Sequence, residues 1–360
     1  MSGIFSRAWL MLGIAVTDVH PGAGRSPGVV DLPVQRDPGG YPVIPRSEVK
    51  GALKTRCMVS TACIDWCKHN NCFNRAQGRV QCSRVVQVSN MQDAAGCVTC
   101  CCLYGPEPEE GEEGASKLAF TDMIVYALPA RSEEGVTAYV TTPWLLEKLV
   151  DVLRVYTLVA GSDKFIGSEK GGMKAGSLLD CLSRIASQAY SLEEGRAYKV
   201  GNVSGNVFTV RDYKLHLESL PGELSECKNA IDVLLKLSEK AYWGKGGHGA
   251  SIVQGKPVII VSEGDGQGFV DTLLVRVTRV RLRIDTKTVA EGALWTEEYI
   301  PRRSLTAAAV LESIYENRVC EAGRQNGINV DANSHLKSID TVILGGKYTL
   351  SSGIIRVKVV

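Results

Sequence analysis

Nine of the twelve cysteines lie between Cys57 and Cys102, leaving only Cys181, Cys227 and Cys320 elsewhere. A chain of 360 residues buries enough apolar surface to fold without disulfide staples spread along it. The crowding therefore marks a local structure, and residues 57–115 read as an insertion that ends in the acidic run Glu107 to Glu113. Cys63-x3-Cys67-x4-Cys72 and Cys97-x2-Cys100 carry ligand types suited to tetrahedral zinc. The expectation is a structural zinc site on Cys63, Cys67, Cys97 and Cys100, with His69 as a spare ligand. Cys82, Cys101 and Cys102 leave the ligand set open. A disulfide pair is the runner-up reading, one that a hyperthermophilic source would allow.

Around this cluster the composition is that of an ordinary globular chain, 44% hydrophobic and 22% charged. The net charge of +2 rules out a polycation, so any nucleic-acid contact has to come from basic residues gathered locally. The apolar run Ala8 to Val16 is too short to span a bilayer and reads as a buried first strand of a cytoplasmic protein.

Helices are expected over Ser47 to Arg56 with Ser47 as N-cap, over Trp144 to Val155 behind Pro143, and over Leu178–Ala189, Asn229–Ala241 and Leu305–Val319. Strands are expected at Leu118–Leu128, Tyr139–Thr142, Val207–Leu217, Val258–Val261 and Gly353–Val360. Leu273 to Ile284 alternates apolar residues with Arg276, Arg279, Arg281 and Arg283, with a bulge expected at Thr278-Arg279. It pairs in prospect with Ala293–Ile300, giving a hairpin with one basic and one acidic-aromatic strand over 273–301. Gly161–Gly176 and Gly244–Gly249 read as glycine-rich loops. Without a regular βα rhythm, an α+β fold with antiparallel sheets is the expectation.

Two nucleotide motifs fail. Gly22-Ala-Gly-Arg-Ser-Pro-Gly28 has the wrong spacing for a dinucleotide fingerprint, and an extended run follows where the helix should start. No P-loop pattern occurs, and no Ser/His/Asp or Cys/His nucleophile carries a local signature.

Three segments then occur in order: His20-Pro-Gly-Ala-Gly24, Val30-Asp-Leu-Pro-Val-Gln-Arg-Asp37 and Val43-Ile-Pro-Arg-Ser-Glu-Val-Lys-Gly-Ala-Leu-Lys54. Leu103-Tyr-Gly-Pro106, a run ending Thr141-Thr-Pro143, Val277–Asp285, Gly292–Pro301 and Gly345-Gly346 follow. This series resembles the RAMP superfamily, and within it the repeated backbone subunits of type III-B (Cmr) CRISPR effectors. The resemblance runs over nearly the whole chain. Lys347 to Ser352 departs from the family pattern, which has a Glu and a second Gly there.

The resemblance implies a ferredoxin-like, RRM-related core in a single domain over 1–360, with the hairpin as a thumb that wedges into a guide–target duplex. It implies a filament of copies on a guide crRNA, a complementary target RNA, other Cmr subunits, and Asp31 as the residue that cuts the target with Mg or Mn. For RNA it points to His20, Arg46, Ser47, Lys50, Lys54, Arg56, Arg279, Arg281, Trp295, Gly345 and Gly346. The chemistry agrees: every guide shares its phosphates, which Lys, Arg and main-chain donors hold, and an aromatic ring stacks on bases. One carboxylate is a thin site, so slow cleavage set by geometry is expected. The competing reading is a purely structural RNA-binding subunit with Asp31 inert. A guide-processing relative ranks behind both.

Overall fold

A computed structural model describes the chain apart from residues 1–2, 27, 108, 111–113, 168–170, 245–246 and 248. Its centre is the strand Phe5–Ala15, whose last seven residues are all buried. This strand pairs antiparallel with Leu305–Ser313 on one side and with Ile354–Val359 on the other. From there a twelve-stranded sheet extends through Met123–Arg131, Thr137–Thr141 and Val258–Val261 to Arg196–Val200 and the hairpin Val207–Val210/Tyr213–Ser219. Among the described residues, all but two of its strand pairings are antiparallel; Thr137–Thr141 with Val258–Val261 and Arg196–Val200 with Tyr213–Ser219 run parallel. The α+β expectation holds.

Most expected elements are present with shifted ends. The helix behind Pro143 runs to Ala160, opened by Pro143 at its first turn and by the Thr142 hydroxyl, which accepts the Leu145 N–H. Ser47 does not cap its helix. That helix starts one residue earlier, as Arg46–Ser60, and its first N–H is taken by the Asp122 carboxylate at 2.8 Å. Val207–Leu217 is a hairpin rather than one strand, because Arg211 turns the chain with φ +52°. In the basic hairpin the register shift falls between Val280 and Leu282, further toward the tip than expected.

Leu305–Val319 is the clear correction. Its Leu and Ala content favours a helix, yet Leu305–Ser313 is a strand and the helix begins only at Arg318. The strand lies between two others and is covered on both faces, so it reads as a continuous apolar run without alternation. Burial outweighs intrinsic propensity there.

The sheet separates two large apolar cores. Leu146, Leu149, Leu153, Leu182, Ile185 and Leu234 from three helices pack on one face with Leu10, Leu12 and Ile14. On the other face Trp9, Met11 and Ala15 meet Val49, Leu53 and the cysteine-rich insertion.

That insertion is helical, with helices Cys63–His69, Cys82–Val85 and Ala95–Tyr104. At the residues expected to hold zinc, the sulfurs are paired with one another or with neighbouring cysteines. Cys63 is bonded to Cys97, Cys67 to Cys72 and Cys57 to Cys100, so the four sulfurs named as ligands are divided among three disulfides. A disulfide sulfur has no thiolate charge to give a cation. Cys63, Cys67 and Cys97 do lie close together, but Cys100 is turned to the helix Arg46–Ser60, and the His69 ring bonds the Asp65 carbonyl. Cys82–Cys101, Cys102–Cys320 and Cys181–Cys227 complete the pairing and leave no cysteine free. The helices set the pattern: Cys97, Cys100 and Cys101 point in different directions from one helix, and each meets a different neighbour.

Candidate RNA-cleavage groove

Asp31 lies in an extended loop that is held along the second strand of the basic hairpin, Val289–Tyr299. Leu32 N–H donates to the Thr296 carbonyl, and Glu298 N–H donates back to Leu32, both at 3.0 Å. The Thr296 N–H then donates 2.8 Å to Asp31 Oδ2. These bonds fix an exposed carboxylate against a strand. The loop is also folded on itself, with Ala23 N–H bonded to Pro33 O and Gln35 N–H to Pro21 O.

The strand itself carries two adjacent carboxylates, one on each face and each only 1% exposed, Glu297 and Glu298. Glu297 accepts from Lys347 Nζ at 2.8 Å, Trp295 Nε1 at 2.8 Å, Tyr299 OH at 2.5 Å and Arg279 Nε at 3.2 Å. Burial alone would raise its pKa, but these donors outweigh it and hold the group at about 2. Glu298 pairs with Arg36 at 3.0 Å and Arg276 at 3.3 Å, and Arg36 reaches on to Asp271. The hairpin base is thus bound by charge to the Asp31 loop and to the segment after Gly346.

The expected site residues divide into three groups. Asp31, Trp295 and Arg281 line one groove of about 440 Å³, together with Arg25, Leu32, Gly292, Ala293, Leu294 and Lys347. His20, Gly345 and Gly346 lie behind it as joinery. His20 is buried, its Nδ1 sits 2.7 Å from the Glu298 carbonyl, and its own carbonyl accepts the Gly346 N–H. Gly345 has φ +86°, and a Cβ there would strike the His20 backbone. Arg279 is occupied by Glu297.

The remaining five, Arg46, Ser47, Lys50, Lys54 and Arg56, stand apart on the helix Arg46–Ser60. Arg46 and Ser47 are exposed at its start. Lys50 donates to Ser116 Oγ at 2.9 Å, and burial, with Lys54 nearby, lowers its pKa. Lys54 pairs with Glu107 at 2.6 Å and Arg56 with Asp340 at 3.2 Å. The acidic run that reads as a solvated loop therefore neutralises one expected RNA contact. Lys54 and Arg56 also lie well past the helix N-terminus.

Sequence reasoning missed Arg25, Arg36, Glu297, Glu298 and Lys347. Glu297 and Glu298 carried a signal, since two adjacent acids on a strand opposite arginines need cross-strand partners. Nothing near Lys347 in the sequence hints that it reaches a groove built by residues 25–32 and 281–295.

A family model described as the RAMP superfamily matches residues 14–350. The chain belongs to that superfamily. Among curated RAMP relatives, CRISPR system CMR subunit Cmr4 of Saccharolobus solfataricus is 26% identical over 353 residues, covering 96% of this chain and 94% of the relative. CRISPR system Cmr endoribonuclease Cmr4 of Pyrococcus furiosus is 25% identical over 306 residues, covering 85% of this chain and 81% of the relative. A subunit in the structure of the type III-B Cmr-beta complex bound to cognate target RNA shares the RAMP fold, with a TM-score of 0.66 and 22% identity over 99% of this chain and 98% of that one.

Proposed function

We infer that this RAMP chain is a guide-crRNA-binding backbone subunit of a type III-B effector, repeated along the guide, which cuts bound target RNA through Asp31. One observation carries this reading: a chain similar to Cmr4 over nearly its full length holds Asp31 rigidly in a groove walled by cations and an indole. In this reading the sheet contains a ferredoxin-like core, and the 273–301 hairpin is the thumb that displaces a target base. Its tip suits that role, since Leu282, Ile284, Val289 and Leu294 are all exposed. Exposed Arg46 and Ser47 at a helix start offer the guide backbone a contact.

Cleavage at a distorted step needs the 2′-hydroxyl in line with its neighbouring phosphate. One Asp31 oxygen is bonded to the Thr296 amide, and the other is left to take the 2′-hydroxyl proton. The 2′-oxygen bonds to phosphorus and the bond to the 5′-oxygen breaks. That oxygen takes a proton from water, leaving a cyclic phosphate and a 5′-hydroxyl.

The donor set suits a divalent ion that keeps most of its waters and binds one carboxylate plus phosphate oxygens. A Mg or Mn ion held there would neutralise charge on the phosphate. Asp37, also in this loop, is engaged elsewhere: its oxygens accept from Tyr41 N–H and Trp144 Nε1 and face Lys148.

The test is to mix assembled complex, complementary RNA and Mg²⁺ and to map the products. Regularly spaced cuts that vanish in Asp31→Ala are expected. Unchanged cutting in that variant would leave the structural-subunit reading or another catalytic residue.

A further inference from the structure

We propose that Lys347, flanked by Arg25 and Arg281, grips the scissile phosphate of the target strand beside Asp31, and that Lys347 supplies charge to its transition state. This rests on the reading above and adds a residue to it. Three segments far apart in sequence bring positive side chains to one groove wall that carries a single carboxylate. Such a surplus fits an anionic ligand, and a phosphodiester is the anion that Asp31 chemistry needs there.

Lys347 differs from the two arginines in how firmly it is held. Its backbone has φ +66°, just after Gly345 tucks against His20 and Gly346 N–H bonds the His20 carbonyl. Its ammonium is fixed 2.8 Å from a Glu297 oxygen and remains a third exposed. An ammonium has three N–H donors, and one is spent on Glu297. Glu297 also takes bonds from Trp295, Tyr299 and Arg279, so it does not depend on Lys347 alone. Lys347 is therefore placed in advance and partly free, the condition under which a charge acts without reorganising during reaction. Arg25 and Arg281 are exposed, and they bind and align the strand.

Attack by the 2′-oxygen places extra negative charge on the non-bridging phosphate oxygens, and a compact ammonium next to them stabilises that state more than the ground state. The experiment uses complete complexes in which every copy carries Lys347→Ala, Lys347→Gln, Lys347→Arg, Arg25→Ala or Asp31→Ala. Each is read for assembly on guide, affinity for a target made uncleavable by 2′-deoxy sugars, and single-turnover cutting. Lys347→Ala and Lys347→Gln should assemble, bind within about threefold of the parent and cut about tenfold to a hundredfold more slowly. Lys347→Arg should recover most of the rate. Arg25→Ala should weaken binding, more so at high salt, with a smaller effect on the rate.

Parent-like cutting by Lys347→Ala while Asp31→Ala is inactive overturns the grip and leaves the proposed function standing. Failure of both Lys347→Ala and Lys347→Gln to assemble also overturns it, since the lysine would then be structural. Cutting by Asp31→Ala at the parent rate, or none by the parent, breaks the functional reading itself.

Discussion

The Asp31 groove and the cysteine-rich insertion both hold irregular chain in a fixed place, by opposite means. In the groove, loops are tied to a hairpin by backbone bonds and by two buried carboxylates with five basic or hydroxyl partners. In the insertion, three disulfides link the helices to one another or to the helix Arg46–Ser60, a fourth closes Cys67 onto Cys72 just past its own helix, and a fifth ties Cys102 to Cys320. The difference follows from what each region has to present. A groove for a polyanion cannot be filled with apolar side chains, so it is organised by charge. Short helices bury too little surface to hold together alone, and covalent links make up the deficit.

Opening the disulfides is the strongest way to break this contrast. Cys102→Ser with Cys320→Ser should cost about 3–5 kcal/mol, because that bridge closes the longest loop, 218 residues. Calorimetry should show a matching fall in the melting temperature, and Asp31-dependent cutting should persist below it. An unchanged melting temperature, or titration of free thiols in the denatured parent, would refute the covalent half of the comparison.

The charged half is tested by Glu297→Ala. It strands Lys347 and Arg279 beside a buried gap and should cost about 2 kcal/mol in chemical denaturation, discounted because both cations are partly exposed. The pH dependence has a definite sign. Glu297 is held at about 2, below the usual 4.5, so its contribution is present above pH 4.5 and lost as pH falls toward 2. Glu297→Gln should flatten stability over that acid window.

Glu48 should do the reverse. Burial pushes it up to about 7 against a hydrogen bond from Gly345, and one of its oxygens has no partner among the described residues. A carboxyl raised this way favours the fold at low pH and penalises it as pH rises from about 4.5 through 7. Glu48→Gln should therefore stabilise by about 1–3 kcal/mol at pH 8 and have little effect at pH 4. A stabilisation equal at both pH values would remove burial as the cause. The smallest effect is expected at the exposed pair of Arg56 with Asp340, where Arg56→Ala should cost under about 1 kcal/mol by the same denaturation assay.

Much of this was legible in the sequence where local chemistry and tertiary context agree. Pro143 behind Thr142 starts a helix, and the arginine-bearing strand pairs with the acidic-aromatic one, because local rules decide both cases. Leu305–Ser313 misled because its helical composition yields to burial between two strands. The cysteines misled because spacing reports which sulfurs are close in sequence, whereas pairing depends on which helix faces which. Asp31 stood out through the family resemblance, while Lys347 was hidden because its contact spans fifty residues to Glu297 and depends on a left-handed backbone turn.

The placement of Phe5–Ala15 between Leu305–Ser313 and Ile354–Val359 has a consequence for biosynthesis. A ribosome releases this apolar strand early and must translate some three hundred residues before either neighbour exists. Throughout that interval both of its edges are open to pairing with other chains. Newly made protein should therefore depend on shielding by chaperones, and truncated translation products should aggregate rather than compete for guide RNA.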